Sequence, residues 1–304
     1  MSEAPETAAT FRCGTVALVG RPNVGKSTLL NALIGWRLSI VGPKPQTTRH
    51  RILGVRTSER GQILFLDTPG LHKGGGRAMN RELNRAARQA IGEADVIVHV
   101  IEAGRWTSED QLVWEAVATA DRPRLLALNK VDLKKDKKLL LPFVAEIGAR
   151  HDYAGIHFVA ARKKEGLVEL ETAILQHLPV AEAVFAADEI TDRSERFLAA
   201  ELVREQLMLR LSAELPYAVS VEIEQFRDEP GKRLEIEAAI WVERDGQKAI
   251  VIGAGGAQLK EIGTAARLAM QRLFERRVHL QLWVKVRENW SDDEAALRRF
   301  GYTD

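Results

Sequence analysis

One cysteine, Cys13, occurs in 304 residues. That excludes an internal disulfide and suits a reducing compartment, where a lone thiol beside an apolar strand reads as a small packing residue. No apolar run approaches the ~20 residues that a membrane-spanning helix needs, so any membrane contact would be peripheral. Neither charge is in excess: 44 Lys and Arg stand against 42 Asp and Glu, for a net charge of +2. Bulk electrostatics therefore point to no particular partner. His72, His99 and His279 are dispersed without metal-ligand spacing and read as structural. No internal repeat is present. Met1 to Thr10 carries Glu3 and Glu6 and lacks an apolar core, so it reads as a disordered tail rather than a secretory signal. What is left, 45% hydrophobic and 28% charged, describes an ordinary globular protein long enough for two domains, expected in the cytoplasm.

Against that plain background stands Gly20-Arg21-Pro22-Asn23-Val24-Gly25-Lys26-Ser27, a full match to G-x-x-x-x-G-K-[ST]. Thr15 to Val19 ahead of it reads as a buried strand, and Ser27 to Ile34 behind it as a helix ending at Gly35. Strand, glycine-rich loop and helix make a phosphate cradle, in which backbone N–H groups and the positive end of the helix dipole face the anion. Residues Arg21 to Thr28 are the nucleotide-contacting candidates. Lys26 can reach the β- and γ-phosphates, and the Ser27 hydroxyl can ligate Mg²⁺. The pattern implies a nucleoside triphosphate.

Along the chain, strands are expected at 49–57, 62–66, 95–101, 125–128 and 156–159, with helices near 78–92, 108–119, 139–150 and 166–178. Alternating strands and helices indicate a doubly wound α/β domain over 11–179, with ligands at the strand ends. The segment His72 to Arg77 has the composition of a mobile loop. Residues 180–192 read as a linker. Beyond them come a long helix at 193–215, strands at 218–226 and 234–242, an apolar strand Ala249 to Ile252, a helix to about 274, a strand at 278–287 and a short helix at 291–300. These form a separate, smaller α+β domain over 193–304.

Asp67-Thr68-Pro69-Gly70 follows a strand directly. Asp67 is placed to hold Mg²⁺ through water, and the Gly70 N–H to reach a γ-phosphate. Thr47 and Thr48 lie in the loop ahead of the second strand, where a hydroxyl, that of Thr48, could complete the metal shell. Asn129-Lys130-Val131-Asp132 selects the base: the Asp132 carboxylate accepts from guanine N1–H and the exocyclic amine, a pattern adenine lacks. Such charge-assisted bonds are worth about 1.5–3 kcal/mol each. ATP is the minority reading. Where Ras-like GTPases carry a water-orienting glutamine this chain has Leu71, so intrinsic hydrolysis is expected to be slow. Help would come from a partner's side chain, the 72–77 loop, or a monovalent cation such as potassium held by Asn23.

In the second domain, Gly253-Ala254-Gly255-Gly256 lies between apolar residues and a helix, where missing side chains let a nucleic-acid backbone approach. Residues 185–304 carry 18 basic and 22 acidic residues, yet 244–287 carry 9 basic and 3 acidic. A local basic face can hold RNA in a salt-sensitive way. Lys248, Lys260, Arg267 and Arg272 are its candidate contacts, with Ile252, Leu259 and Ile262 as apolar groove candidates that core packing explains better than contact.

Taken together, these motifs resemble the Era branch of translation-associated GTPases. The resemblance runs from about residue 14 to the end. It rests also on Pro45-Gln46-Thr47-Thr48-Arg49-His50-Arg51, Leu215-Pro216-Tyr217, Val251-Ile252-Gly253 and Trp283-Val284-Lys285-Val286. It implies a GTPase domain joined to a type II KH domain. It further implies work on the small ribosomal subunit, binding the 3′ end of its RNA during maturation. Separately, the protein is expected to be a monomer, and peripheral contact with the inner face of the cell membrane stays open. Two departures stand out. The family's Ser-Ala motif is Ala160-Ala161 here, losing a hydroxyl that braces the loop and predicting slightly weaker guanine affinity, while the Ala161 N–H remains able to meet the guanine oxygen. Ala254 stands where the family usually has a polar residue. A rival reading is an RNA-binding assembly scaffold with little nucleotide turnover; a metabolic P-loop kinase is disfavoured by N-K-x-D.

Overall fold

A computed structural model of the chain describes residues 10–42, 44, 47–71, 78–212 and 215–302. The expected tail (apart from Thr10), Pro45, Gln46 and the 72–77 loop lie outside the described residues. The chain divides into two compact units. Met1–Ser39, Arg51–Lys73 and Asn84–Asp192 form the first; Ile40–His50, Gly74–Leu83 and Arg193–Asp304 form the second. Two internal segments that the sequence reading counts with the first domain thus fold with the second.

The first unit is built on strands β1 (Arg12–Val19), β2 (Ile52–Ser58), β3 (Gly61–Asp67), β4 (Val96–Glu102), β5 (Arg124–Asn129) and β6 (Gly155–Phe158). They form one sheet in the order β2-β3-β1-β4-β5-β6, parallel throughout except for β2, which runs antiparallel to β3. β3 is buried at every position and β4 at all but its last, as strands covered on both faces require. Helices α1 (Lys26–Ile34), α2 (Ala78–Glu93, its start grouped with the second unit), α3 (Ser108–Ala118), α4 (Leu141–Arg150) and α5 (Leu167–His177) connect them. α3 starts at a capping box, with the Thr107 hydroxyl taking the Asp110 N–H and the Asp110 carboxylate taking the Thr107 N–H. Residues 180–192 are strapped to the sheet rather than loose. The buried Gln62 carboxamide takes the N–H groups of Val184 and Phe185 and donates to Phe185 O. Val55 N donates to Ile190 O at 2.9 Å.

The second unit holds α6 (Glu195–Arg210), β7 (Ser220–Arg227), β8 (Leu234–Val242), α7 (Asp245–Ile252), α8 (Ala257–Leu273), β9 (Val278–Val286) and α9 (Glu294–Arg299). β8 pairs antiparallel with β7 and parallel with β9. α6 (Ala199, Val203, Leu207) and α8 (Ile262, Ala266, Met270) close one core with alternate residues of β8 (Ile236, Ala238, Ile240). The expected strand at Ala249 to Ile252 is a correction: these residues are the second half of helix α7. An apolar run of four satisfies either period. The helix wins because Gln247 caps it, its side-chain oxygen taking the Glu243 and Arg244 N–H groups, and only Val251 of the run is fully buried. The long helix expected over 193–215 is confined to α6, with a 3₁₀ turn at Leu215–Tyr217. The architecture is a doubly wound α/β unit plus a smaller α+β unit.

Candidate functional site

At the carboxyl end of β1 the chain turns through Gly20–Gly25 into α1. Gly25 caps the helix at φ 100°, a conformation that L side chains rarely adopt. A β-carbon on it would stand 2.4 Å from Asn129 Nδ2. Asn23, exposed at the loop's tip, is also left-handed, at φ 64°. Lys26 is buried and its ammonium donates to Gly20 O (2.9 Å) and Arg21 O (3.1 Å). Burial lowers its pKa to about 8, with the nearby Asp67 carboxylate opposing the shift. Ser27 Oγ donates to Asp67 Oδ2 at 2.9 Å, both groups buried.

β3 ends at Asp67, and the residues after it pack against β1 and the phosphate loop. Thr68 Oγ1 donates to Leu18 O at 2.9 Å. A β-carbon on Gly70 would lie 2.8 Å from Pro22 N, so this glycine permits a backbone approach that any side chain would block. Leu71 is 3% exposed and packs with Ala17, Val19, Leu66, Ala87 and Ile91. It is a core residue, and it offers nothing that could align a water.

Asn129, at the end of β5, joins three loops. Its Nδ2 donates to Val24 O (2.9 Å), and its Oδ1 accepts from Lys130 N (2.8 Å) and Ala161 N (3.1 Å). Lys130 is left-handed at φ 64° and its ammonium meets Glu102 Oε2 at 3.1 Å. Burial raises the Glu102 pKa, but Lys130 and Arg21 more than offset it and hold the carboxyl below its usual range. Asp132 lies half-buried in the 3₁₀ turn Val131–Leu133. The Ala161 N–H expected to meet guanine is engaged by Asn129, so guanine would share or replace that bond. The missing serine hydroxyl at Ala160 is matched by backbone bracing: Ala160 and Glu165 exchange two hydrogen bonds of 3.1 and 3.3 Å. Arg21 is buried against Asp110 (Nε to Oδ2, 3.1 Å), so it acts on the loop from behind. Asp110 escaped the sequence reading, although Thr107-Ser108-Glu109-Asp110 spells a capping box. Thr28 follows Ser27 on α1, half-buried.

Ser27 and Asp67 fit a hard cation: two oxygen donors side by side beneath the phosphate loop suit Mg²⁺. Thr48, the third expected ligand, is buried in the segment that folds with the second unit. His99 is structural. It is fully buried on β4, bonded to Tyr153 OH at 2.7 Å, and kept neutral by burial with its pKa pushed down to about 3.

In the second unit Gly253, Gly255 and Gly256 all take positive φ, at 72°, 58° and 79°. They join α7 to α8, with Ala254 exposed between them. A β-carbon on Gly253 would meet Gln258 Cβ at 2.6 Å. Ile252 and Leu259 are half-buried at the core's margin, whereas Ile262 is fully buried and belongs to the core. Lys260 and Arg267, seven residues apart, share one face of α8. Arg272 sits about 140° round from Arg267 by helix geometry and donates to Leu268 O. Lys248 is half-buried on α7.

The phosphate loop, the buried Ser27–Asp67 pair and the Asn129 hub, with a glycine-hinged helix pair in a separate unit, define a P-loop nucleotide-binding protein with an appended α+β module. The model of a 50S ribosome-binding GTPase matches residues 15–130, and that of a KH domain residues 214–291. GTPase Era of Xanthomonas oryzae pv. oryzae (strain MAFF 311018) is 57% identical over 296 residues, covering 97% of this chain and 99% of its own. GTPase Era of Stenotrophomonas maltophilia (strain R551-3) is 57% identical over 290 residues, covering 95% and 97%. The chain belongs to the Era family of GTPases. Its structure is similar to an Era variant from Aquifex aeolicus bound to GDP and AlF4, with TM-score 0.94 and 38% identity over 97% of this chain and 100% of that one. It is equally similar, with the same values, to an Era in complex with MgGDPNP and nucleotides 1506–1542 of 16S ribosomal RNA.

Proposed function

We propose that this protein is a GTP-hydrolysing switch whose KH domain binds the 3′ end of small-subunit ribosomal RNA during assembly of that subunit. The observation that carries the reading is Asn129, one carboxamide joining the phosphate loop, the N-K-x-D turn and the Ala160–Ala161 loop. Such a hub ties base recognition to phosphate recognition. The RNA part draws on the Era complex with 16S ribosomal RNA and on the glycine hinge at 253–256. Ser27 and Asp67 would hold Mg²⁺, which supplies positive charge at the phosphates; Lys26 lies beside them as the loop's own cation. With Leu71 in the core, hydrolysis takes its water-aligning group from elsewhere: a partner's side chain, the 72–77 loop, or a potassium ion held by Asn23. Turnover that is equal in potassium and sodium, and unchanged in Asn23→Ala, would remove the ion from the scheme. In this reading the protein works in the cytoplasm as a monomer. Contact with the inner membrane face is peripheral in this reading, since no helix among the described residues is long and apolar enough to cross a bilayer.

The test is binding of a single-stranded RNA with the small-subunit 3′-terminal sequence against a scrambled RNA. The account expects clear preference for the first. Equal affinity for both would leave only sequence-blind phosphate attraction.

A further inference from the structure

The carboxyl end of β4 carries a charge that none of the sequence motifs accounts for. Glu102 is the last residue of that central strand, and every residue of β4 before it is buried. In a doubly wound sheet such strand ends face the ligand. Glu102 pairs in register with Asn129 of β5, which places it beside the base-selecting turn. Its Oε2 accepts from the Lys130 ammonium at 3.1 Å and lies 3.7 Å from Arg21 Nη2. Both cations belong to nucleotide motifs, one to N-K-x-D and the other to the phosphate loop. Arg105, exposed three residues on, adds to the positive field at the carboxylate.

The two cations are held from their other sides. Arg21 Nε donates to Asp110 Oδ2 at 3.1 Å; Asp110 is fully buried and fixed in turn by the Thr107 N–H and hydroxyl, at 2.9 and 2.7 Å. Lys130 is left-handed, at φ 64°, and its N–H donates to Asn129 Oδ1 at 2.8 Å. A residue with a β-carbon adopts that conformation only under constraint, and such strain gathers at ligand sites. Asp110, Arg21, Glu102 and Lys130 thus form one chain of alternating charge. It runs from the start of α3, past the phosphate loop, to the turn that carries Asp132. An ion pair as exposed as Glu102–Lys130, with side chains 27% and 32% exposed, adds little to stability on its own. Its value lies in geometry: it orients a flexible side chain beside the carboxylate that selects the base.

We propose that Glu102 is a positioning residue for guanine: it holds the Lys130 ammonium, with Arg21 as its second cation, so that the Lys130 stem lies along the face of the base that Asp132 selects. The methylene stem gives apolar cover while the charged head stays at the carboxylate. Without Glu102 the stem would sample several rotamers, and ordering it on binding would weaken affinity. Glu102 itself touches neither base nor phosphate. This role rests on the guanine reading of N-K-x-D. It acts equally on bound GTP and on the transition state, so it changes KM and leaves kcat alone.

The test is steady-state GTP hydrolysis and GDP titration with the full chain, for the wild type, Glu102→Gln, Lys130→Met and the double variant. The first substitution keeps the size and removes the charge; the second keeps most of the stem without the ammonium. Far-UV circular dichroism and thermal unfolding check that each variant folds. Glu102→Asp, which keeps the charge on a shorter stem, serves as a second variant and should recover part of what Glu102→Gln loses. In Glu102→Gln, KM for GTP and Kd for GDP should each rise about fivefold, the top of the range for a half-exposed pair, with kcat within about twofold of the wild type. In the Lys130→Met background the same substitution should cost less than about twofold, because residues that act through one contact are not additive. Unchanged affinity in Glu102→Gln overturns the role, as does a loss just as large in the Lys130→Met background. A fall in kcat without a rise in KM also overturns it, since Glu102 would then act on the phosphates through Arg21. A wild type that binds ATP as tightly as GTP overturns the guanine reading itself, and this role with it.

Discussion

A β-carbon on Gly25 would stand 2.4 Å from Asn129 Nδ2. The phosphate loop and the base-selecting motif, more than a hundred residues apart in sequence, are thus packed so closely that one permits only glycine. Gly25 also sits at φ 100°, where L side chains carry a penalty of about 1–2 kcal/mol. Gly25→Ala should therefore weaken GTP binding by at least about tenfold, since 1.4 kcal/mol is a factor of ten. Titration with a fluorescent guanine nucleotide measures it.

Asp132→Ala removes the acceptor for both guanine donors. At about 1.5–3 kcal/mol for each charge-assisted bond, GTP affinity should fall by about a hundredfold or more. ATP affinity, weak from the start, should barely change. Competition between the two nucleotides for the site reads the ratio directly.

Lys26 gives a pH dependence. Burial depresses its pKa to about 8, so above that pH the free protein increasingly presents a neutral amine. Bound phosphates favour the charged form and raise the pKa. Binding must then take up a proton, and affinity should fall by up to about tenfold per pH unit above pH 8. Calorimetry at pH 8.5–9 in buffers of different ionisation enthalpy should report the uptake, and Lys26→Ala should abolish it.

His50 gives a second, on the acid side. Burial lowers its pKa to about 4, with Glu201 opposing the shift and Arg204 and Arg193 adding to it. The folded state holds the ring neutral while the unfolded chain protonates it near 6.5. Stability from this group is therefore whole above about pH 6.5 and is lost as pH falls toward 4. The slope is at most about 1.4 kcal/mol per pH unit, and less where solvent screens the ring. Denaturation at pH 7 and pH 5 should show the loss, which His50→Phe should reduce.

For the RNA, Lys260→Ala should lower affinity for any single strand about equally and reduce the salt slope by about one. Arg272→Ala should have less effect, because it lies on a different side of α8. Titrations across a range of salt concentrations separate the two.

Much of the nucleotide site was legible because its geometry is local. A strand, a glycine-rich loop and a helix put Lys26 and Ser27 in place, and Asp67 and Asn129 each end a strand whose apolar run is plain. Contacts made across the fold were not legible. Nothing in the sequence ties Asn129 to Val24 and Ala161, or Thr68 to Leu18, since those bonds depend on strand order. Ala249 to Ile252 misled because four apolar residues fit a strand or a helix, and the deciding cap at Gln247 lies just upstream. The grouping of residues 40–50 with the second unit was hidden for a different reason. Arg49 and Arg204 look like surface charges, and only tertiary packing shows them to be buried.

The most direct test of the central claim is multiple-turnover GTP hydrolysis by the full chain, with and without the 3′-terminal small-subunit RNA. A single molecule that senses both ligands should turn over slowly alone, with Leu71 in the core, and faster once the RNA is bound. Hydrolysis that proceeds at one rate whether or not the RNA is present, at RNA concentrations that saturate binding, would contradict it and mark the two units as independent modules.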